Sequence, residues 1–395
     1  MRREAPEGLL TDSPGPSAHP PSPGAHRSRR TAVVHDWLNG MRGGEKVLEA
    51  ILEVVPDPTI FTLFHVPGAV SPAIERFPIR ASFLNAMPFA ETLYRHYLPL
   101  FPLAVESFDL SGFDLVVSSS HCVAKGALAP SGVPHLCYCH TPVRYAWDQF
   151  DAYFPEGATR WRGVKRALLG RLREWDRKTA GRPSRYLANS GAVAERIRRH
   201  YGREAQVCHP PVDVRFFEGD RGVRSEFLLA VGALVPYKRF DQAIEAAALV
   251  SRPLVIVGKG PEERRLRSAA TRLRADSGAS VDIRMDLSPG ELRELYRRCA
   301  LFVQPGEEDF GIAAVEAMAC GAPVVALARG GALDIVADGD TGVLFPDEGA
   351  RGLAAGIQRA LGIPFDYTRL RDRALRFGRP RFLEDFRRQI EGLLR

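Results

Sequence analysis

The sequence has no apolar stretch that would cross a membrane and no cysteine framework. Its 395 residues contain no hydrophobic run near the roughly 20 residues that a membrane-spanning helix needs. The six cysteines follow no disulfide spacing, which indicates a reducing compartment. Residues 1–30 are rich in Pro, Ser, Gly and Arg, and they lack the apolar core of a signal peptide. We therefore expect a disordered extension on a cytoplasmic protein.

Two common ligand-binding patterns are also missing. A strand from Thr31 leads into a glycine-rich loop, residues 40–44, but the Gly-x-Gly-x-x-Gly spacing is absent. The next predicted strand, residues 59–65, does not end in the acidic residue that a ribose needs, so NAD binding is excluded. Cys137 and Cys139 share one face of a strand without a second ligand pair, which favours a structural role over a metal site. We expect no metal and no cofactor.

The length of the chain and its pattern of elements predict two α/β domains. Hydrophobic residues make up 45% of the chain and charged residues 26%, which is typical of a globular protein. Short apolar strands alternate with helices, so each domain should hold a doubly wound parallel sheet. We place the first domain at 31–208, a proline-stiffened linker at 209–225 and the second domain at 226–378. A last helix, 379–395, is expected to pack back on the first domain.

The most informative stretch is residues 300–327, which predicts a strand, an acidic turn, a helix and a second strand. This order places a helix N-terminus at the carboxyl edge of a parallel sheet, where free N–H groups favour a phosphate. Three carboxylates in the turn would repel that phosphate unless they face something else. Glu308 and Glu316 would each accept hydrogen bonds from a diol, as in the hexose and ribose of a nucleotide sugar. The alternative is an acidic helix start that only complements the helix dipole.

Three other sheet edges carry candidate side chains. His140 follows a strand and is fixed by a proline two residues later, so it should face the cleft, although it would also serve as a simple loop cap. Lys238 and Arg239 lie in a sheet-edge loop where adjacent cations neutralise a diphosphate. Gly43 and Gly44 let backbone amides approach a diphosphate without a Cβ in the way.

These stretches resemble a known family. The Glu308-to-Glu316 spacing matches the Glu-x7-Glu motif of the retaining glycosyltransferases of family 4, which have the GT-B fold of two Rossmann-like domains facing across a cleft. His140-Thr141-Pro142 is similar to the His-x-Pro of that family, and residues 258–262 are similar to its Gly-x-Gly-Pro-Glu turn. Ala233 stands where many relatives have an arginine, so the division of the diphosphate between the two neighbouring cations stays open.

The resemblance implies roles for named residues. It makes His140, Lys238 and Glu308 catalytic. The residues implied to bind the donor are Gly43, Gly44, Arg239, Gly258, Gly260, Phe310, Gly311, Ile312 and Glu316. The reaction implied is a front-face displacement without metal, in which the leaving diphosphate deprotonates the incoming hydroxyl. Arg144 would pair with an acceptor phosphate.

Within the family, the chain looks like the mannosyltransferases of bacterial polysaccharide and O-antigen assembly. The residues that carry this likeness are 36–38, 43–46, 140–145 and 235–239. It implies GDP-mannose as donor and a lipid-linked or oligosaccharide acceptor. Three alternatives stay open: a UDP-sugar donor, a nucleotide-sugar epimerase of the same fold, and a non-catalytic sugar-nucleotide-binding subunit.

Two segments suggest contact with an anionic membrane surface. Residues 160–199 contain thirteen Lys or Arg and three acidic residues, without a nucleic-acid recognition motif. Within them Trp161, Val164, Leu168, Leu172 and Trp175 recur at helical spacing, so this stripe faces either the lipid or the core. Apolar side chains are also frequent in residues 83–103, where core packing and contact with an acceptor lipid are both open. Peripheral association with the inner face of the cytoplasmic membrane is the resulting prediction.

Overall fold

The computed structural model describes residues 29–147, 162–218, 224–277 and 280–395, and it contains two parallel sheets. The first sheet has seven strands in the order β3-β2-β1-β4-β5-β6-β7. Its strands are short runs of apolar and β-branched residues, most of them buried on both faces, as expected for parallel sheets. They are β1 Thr31–His35, β2 Pro58–Thr62, β3 Ile79–Ala81, β4 Leu115–Ser120, β5 His135–Cys139, β6 Arg185–Ala188 and β7 Ala205–Val207.

The helices of this half cover the sheet. They are α1 Gly43–Val54, α2 Pro72–Glu75, α3 Ala90–Leu93, α4 Phe101–Glu106, α5 Arg144–Trp147, α6 Arg162–Lys178 and α7 Gly191–Tyr201. A short helix, α8 Val214–Phe217, follows on the way to the second sheet. All but the last two residues of the expected extension, 1–30, lie outside the described residues.

The second sheet has six strands in the order β10-β9-β8-β11-β12-β13. The strands are β8 Leu228–Val231, β9 Leu254–Val257, β10 Val281–Arg284, β11 Leu301–Gln304, β12 Val324–Leu327 and β13 Gly342–Phe345. The helices are α9 Phe240–Leu249, α10 Glu263–Ser277, α11 Pro289–Arg298, α12 Ile312–Ala319, α13 Ala332–Ile335, α14 Ala350–Leu361, α15 Tyr367–Leu375 and α16 Arg379–Leu393. Two doubly wound parallel-sheet domains were predicted, and this architecture is confirmed.

Each sheet has one point where the strand order reverses. In the first sheet it lies between β1 and β4, and in the second between β8 and β11. Open α/β sheets bind ligands in the crevice at such a switch point, outside the carboxyl ends of the strands. We therefore expect the ligand-binding residues in the loops after β1, β4, β8 and β11.

The chain passes between the two domains twice, and the two crossings are hydrogen-bonded to each other. The Val212 amide donates to the Phe377 carbonyl at 3.0 Å, and the Arg379 amide donates to the Val212 carbonyl at 3.1 Å. Beyond the second crossing, α16 returns to the first domain, where Phe382 and Phe386 are buried in the same core as α1. The last helix thus closes the first domain, although it follows the second in sequence.

The orientation of α6 differs from the stripe expected in residues 161–175. Val164 and Leu168 are exposed, whereas Leu169 and Leu172 are buried. Trp175 packs on Gly126, and its indole N–H donates to Glu106 at 2.8 Å, so this tryptophan faces the protein and not a membrane. The other proposed anchor, Trp161, lies outside the described residues.

A buried ion pair explains how α6 is oriented. The Lys125 ammonium lies 3.0 Å from the Asp176 carboxylate, and both side chains are almost fully buried. The same carboxylate accepts hydrogen bonds from the Trp147 indole and the Tyr201 hydroxyl, both at 2.8 Å. A buried charge needs such partners, so the helix must turn its Asp176 face inward. The spacing of hydrophobic residues in the sequence does not predict that the Asp176 face must turn inward.

Candidate functional site

The switch point of the second domain holds an ion pair between Lys238 and Glu308. Lys238 ends a short turn after β8, and Glu308 lies in the loop after β11. The two loops approach closely because residue 306 is glycine: a Cβ there would lie 2.2 Å from the Tyr237 carbonyl oxygen. Both charged side chains are only slightly exposed. The structure thus brings together two of the residues that the sequence marks as catalytic.

The rest of the acidic turn faces the other domain. Arg196 on α7 pairs with both Glu307 and Asp309, and its Nη1 also lies 3.4 Å from the Thr141 hydroxyl. The Ser190 hydroxyl donates to the Asp309 carbonyl. These contacts answer the question of repulsion, since two of the three carboxylates are neutralised by an arginine from across the cleft.

Glu316 lies one turn inside α12 and is buried. One carboxylate oxygen accepts a 3.0 Å hydrogen bond from the Tyr296 hydroxyl, and the other lies 3.9 Å from the Lys46 ammonium of the first domain. Burial raises the pKa of Glu316, and Lys46 and Tyr296 offset part of that rise. The oxygen near Lys46 has no short partner among the described residues and is the one suited to a ligand hydroxyl.

In the first domain, His140 stands at the carboxyl end of β5. Its Nε2 lies 2.9 Å from the Ser119 hydroxyl, and its carbonyl accepts a 2.8 Å hydrogen bond from Asn189. Burial lowers the pKa of His140 well below its ordinary value, and the neighbouring histidines 121 and 35 lower it further. The imidazole is therefore neutral at physiological pH and acts as a hydrogen-bonding group, not as a cation.

Two residues at the switch point of the first domain received no role from the sequence patterns. Asp36 follows β1, His121 follows β4, and the His121 Nδ1 lies 3.2 Å from an Asp36 carboxylate oxygen. The signal that would have found them is the rule used for His140, a polar residue directly after a buried strand. Among the described residues no group of three or more His, Cys, Asp and Glu side chains is placed to hold a metal ion.

The two switch points face each other across a narrow cleft. Gly43 begins α1, and a Cβ at this position would lie 3.2 Å from the Ile312 side chain at the start of α12. A Cβ on Gly44 would lie 4.0 Å from the His140 ring. The glycine loop therefore stands between the helix start of one domain and the histidine of the other.

The remaining candidates are placed as follows. Phe310 is buried, and its ring packs against His209 and Phe377 at the interdomain crossings. Gly311 caps α12 with a φ of 108°. Arg239 is exposed. Gly258 and Gly260 pack on the 232–234 backbone, where a Cβ on Gly258 would lie 1.8 Å from the Gly232 oxygen. Arg144 lies in α5, and its side chain is outside the described part of the structure.

Both domains match family profiles. The first matches "Glycosyltransferase Family 4" over residues 58–216. The second matches "Glycosyl transferases group 1" over residues 214–377. Two facing doubly wound domains of this kind define the GT-B class of glycosyltransferases. By its fold and both profile matches, the chain is similar to glycosyltransferases of the family 4 type.

Solved structures agree on the fold. Anabaena HepE in complex with UDP superposes with a TM-score of 0.66 at 19% identity, covering 92% of this chain and 100% of that one. The lipopolysaccharide outer core galactosyltransferase WaaB superposes with a TM-score of 0.64 at 14% identity, covering 92% and 99%. The predicted GT-B fold is confirmed.

Curated relatives match only part of the chain. A D-inositol 3-phosphate glycosyltransferase of Nocardiopsis dassonvillei is 33% identical over 262 residues, 59% of this chain and 58% of the relative. One from Streptomyces bingchenggensis is 30% identical over 220 residues, 48% of each chain. The chain thus spans about half the length of these relatives.

No helix within the described ranges is long and apolar enough to cross a bilayer.

Proposed function

We propose that the protein transfers a hexose from a nucleotide sugar to a hydroxyl of an acceptor. The observation that carries this proposal is the position of the Lys238–Glu308 pair and of Glu316 at one switch point, directly across from His140 at the other. A cation for the diphosphate and two carboxylates for diols meet within one cleft. Hydrogen-bonding imidazoles on the far wall complete a site for sugar transfer.

The geometry suggests how the donor is held. The N-terminus of α12 and Lys238 would receive the diphosphate, Glu316 the ribose and Glu308 the hexose. Because Lys238 and Glu308 are paired with each other in this structure, donor binding would exchange that pair for contacts to phosphate and sugar. Stabilisation of charge on the leaving diphosphate by such a preorganised cation is usually the largest catalytic contribution. We propose a retaining reaction that needs no metal.

For the donor we propose GDP-mannose, on the subfamily resemblance of residues 36–38 and 235–239. A UDP-sugar is the competing donor, because a structural neighbour was solved with UDP-glucose. For the acceptor we propose a lipid-linked glycan of a cell-surface polysaccharide. The names of the curated relatives favour a second candidate, an inositol phosphate.

An exposed apolar surface on the first domain supports the lipid-linked acceptor. Of the apolar side chains in residues 83–103, Leu84, Tyr94 and Phe101 enter the core, whereas Phe89 is 74% exposed and Leu103 is 60% exposed. The basic helix α6 contributes Leu169 and Leu172 to the core beneath this segment. Apolar groups beside cations suit an anionic membrane surface, so we propose peripheral membrane association.

The test is a binding and turnover screen with GDP-mannose, UDP-glucose and their free diphosphates. A ligand at a hundredfold excess over its dissociation constant should stabilise the protein by about 2.7 kcal/mol in thermal unfolding. Transfer is then followed with D-inositol 3-phosphate and with a short-chain lipid-linked glycan as acceptors. Hydrolysis of the donor without formation of any acceptor product would favour an epimerase. Donor binding without turnover would favour a non-catalytic subunit. If no donor binds, the proposal is contradicted.

A further inference from the structure

The carboxylate assigned to the ribose is hydrogen-bonded to a buried tyrosine. The Tyr296 hydroxyl, on α11, donates to Oε2 of Glu316, on α12, at 3.0 Å. We propose that Tyr296 positions Glu316 for the ribose diol and thereby contributes to nucleotide affinity; this inference rests on the donor arrangement proposed above. Tyr296 is completely buried and acts through Glu316, so it is a positioning residue.

The position of the Tyr296 ring is fixed by packing. Phe217 meets the ring edge-on with the ring centres 5.7 Å apart, and the ring of Phe302 on β11 lies 5.9 Å away. The helix that carries Tyr296 begins at a capping box, in which the side chains of Ser288 and Glu291 each accept a hydrogen bond from the backbone of the other. A hydroxyl on a packed ring has little freedom, so it holds its partner in one orientation.

Among the described residues, Glu316 accepts no other side-chain hydrogen bond that would hold it. Ile312 and Ala313, one turn before it on α12, are apolar, and the thiol of Cys320, one turn after it, donates to a carbonyl instead. A glutamate side chain is flexible, so an unheld carboxylate would lose conformational freedom on binding a diol. The hydrogen bond from Tyr296 orders the carboxylate before the nucleotide binds, which favours affinity.

The same hydrogen bond decides which carboxylate oxygen is left for the ligand. Tyr296 occupies Oε2 of Glu316, whereas Oε1 lies 3.9 Å from the Lys46 ammonium. Lys46 belongs to α1 of the first domain, so Oε1 lies on the cleft side of the carboxylate. A separation of 3.9 Å is longer than a hydrogen bond, so Oε1 keeps its capacity to accept a ribose hydroxyl. Without the Tyr296 hydroxyl, the carboxylate would be free to turn this oxygen away from the ribose.

The groups around Glu316 set the expected pH dependence. Burial raises the pKa of Glu316, Lys46 and then Tyr296 lower it, and Asp213 raises it. Burial raises the pKa of the Cys320 thiol to about 12 and that of Tyr296 well above its ordinary value, so the thiol is neutral and the tyrosine remains a donor.

A carboxylate accepts hydrogen bonds from a diol more strongly than a carboxylic acid does. Nucleotide affinity should therefore fall as the pH drops through the pKa of Glu316. Removal of the Tyr296 hydroxyl takes away a hydrogen bond that lowers this pKa, so the fall should begin at a higher pH.

The experiment compares wild type with Tyr296→Phe and the control Tyr186→Phe. Phenylalanine keeps the ring and its packing, so both variants should fold. Tyr186 is also buried, and its hydroxyl donates to the Ala180 carbonyl at 3.0 Å in the first domain, so the control loses a similar hydrogen bond outside the nucleotide site. Calorimetry measures the affinity for GDP, for UDP and for their dideoxy analogues, which lack the ribose diol, from neutral to mildly acidic pH.

We expect Tyr296→Phe to weaken the nucleotide that wild type binds by about tenfold, as for the loss of a hydrogen bond to a charged group. Its affinity for the dideoxy analogue should be unchanged, and the fall in nucleotide affinity should move to a higher pH. In a Glu316→Gln background, Tyr296→Phe should cause no further loss. In wild type, the fall at acidic pH should be absent for the dideoxy analogue.

Equal nucleotide affinities in Tyr296→Phe and the control would overturn this proposal and leave the proposed function intact. An equal loss of affinity for the dideoxy analogue would also overturn it, because the tyrosine would then support the fold and not the ribose contact. In wild type, an acid fall of the same size for the nucleotide and its dideoxy analogue would overturn it without any variant. If wild type binds neither GDP nor UDP, the proposed function fails as well.

Discussion

The two switch points differ in how they hold charge. At the switch point of the second domain, the side chains are charged and paired: Lys238 with Glu308, and the rest of the acidic turn with Arg196. At the switch point of the first domain, two histidines have pKa values lowered by burial, and two buried carboxylates, Asp36 and Glu45, accept hydrogen bonds from backbone amides. One wall of the cleft pairs charged side chains with each other and is ionic, whereas the histidines of the opposite wall are neutral.

The difference follows from what each wall would bind. A diphosphate brings its own charge, and the protein must present cations without leaving carboxylates unpaired when the site is empty. A sugar hydroxyl is neutral and needs a lone pair or an N–H group at a fixed position. A buried imidazole supplies either one without the cost of desolvating a full charge. The comparison would therefore place the leaving diphosphate on the ionic wall and sugar hydroxyls on the opposite wall.

The largest effect should come from removing the cation of the ionic wall. Lys238→Ala should lower turnover by roughly 100- to 1000-fold, because it removes a preorganised donor aimed at developing charge. The matched control is Lys178→Ala, which breaks an exposed ion pair with Glu174 on α6. Steady-state kinetics measure both variants. Near-wild-type turnover in Lys238→Ala would show that Arg239 or another group supports the diphosphate.

The second effect divides the two carboxylates. Glu316→Ala should weaken free nucleotide diphosphate by about 10- to 100-fold, since it removes a charged hydrogen-bond acceptor for the ribose. Glu308→Gln should lower turnover far more than nucleotide affinity, since it is assigned to the hexose. Isothermal titration calorimetry with GDP and UDP separates the two. Unchanged nucleotide binding by Glu316→Ala would contradict the assignment.

The sequence was informative where a single strand end decides the position of a side chain. His140, Lys238 and Glu308 each lie in a segment that follows a predicted buried strand, and the topology places all three at the cleft. The sequence did not predict which polar side chains contact each other. Asp36 and His121 are 85 residues apart, and Arg196 reaches an aspartate 113 residues further on. Which polar groups meet depends on strand order and on how the domains pack.

The sequence also did not predict in which direction particular side chains point. The spacing of Trp161 to Trp175 indicated a stripe, but not the buried Lys125–Asp176 pair that decides which face of α6 turns inward. The same holds for Phe310, which the family resemblance implies to bind the donor: the sequence does not predict that its ring packs on His209 and Phe377 at the interdomain crossings. Neither contact leaves a periodic signal in the sequence.

A smaller effect is expected from the contact between the walls. Arg196→Ala would remove the cation that Glu307 and Asp309 share near the diphosphate, so donor affinity should fall about tenfold, the equivalent of ~1.4 kcal/mol. Arg198→Ala on the same helix is the control, because Arg198 is exposed and its ion pair is a local one with Glu195, three residues earlier. Calorimetry with GDP-mannose and UDP-glucose makes the comparison. Equal donor affinities in the two variants would show that the charge of the acidic turn does not affect phosphate binding.

The smallest effect concerns the surface outside the neutral wall. Phe89 is exposed and has a φ of 53°, which is unusual for a bulky residue and marks a site that the surrounding structure holds under strain. If this side chain enters the lipid, Phe89→Asn should weaken binding to vesicles containing phosphatidylglycerol about fivefold, or ~1 kcal/mol, since only part of the ring would be buried. Asparagine tolerates the left-handed conformation, so the turn is kept.

Co-sedimentation at low and high salt separates this contribution from that of α6. Apolar insertion is insensitive to salt, whereas each basic side chain near the anionic surface contributes about 1 kcal/mol that salt screens. Leu249→Asn is the control, because Leu249 is 56% exposed at the end of α9 in the other domain. Binding that high salt abolishes equally in wild type and Phe89→Asn would assign the membrane contact to charge alone. Absence of binding by wild type at low salt would contradict the membrane proposal and favour a soluble acceptor such as an inositol phosphate.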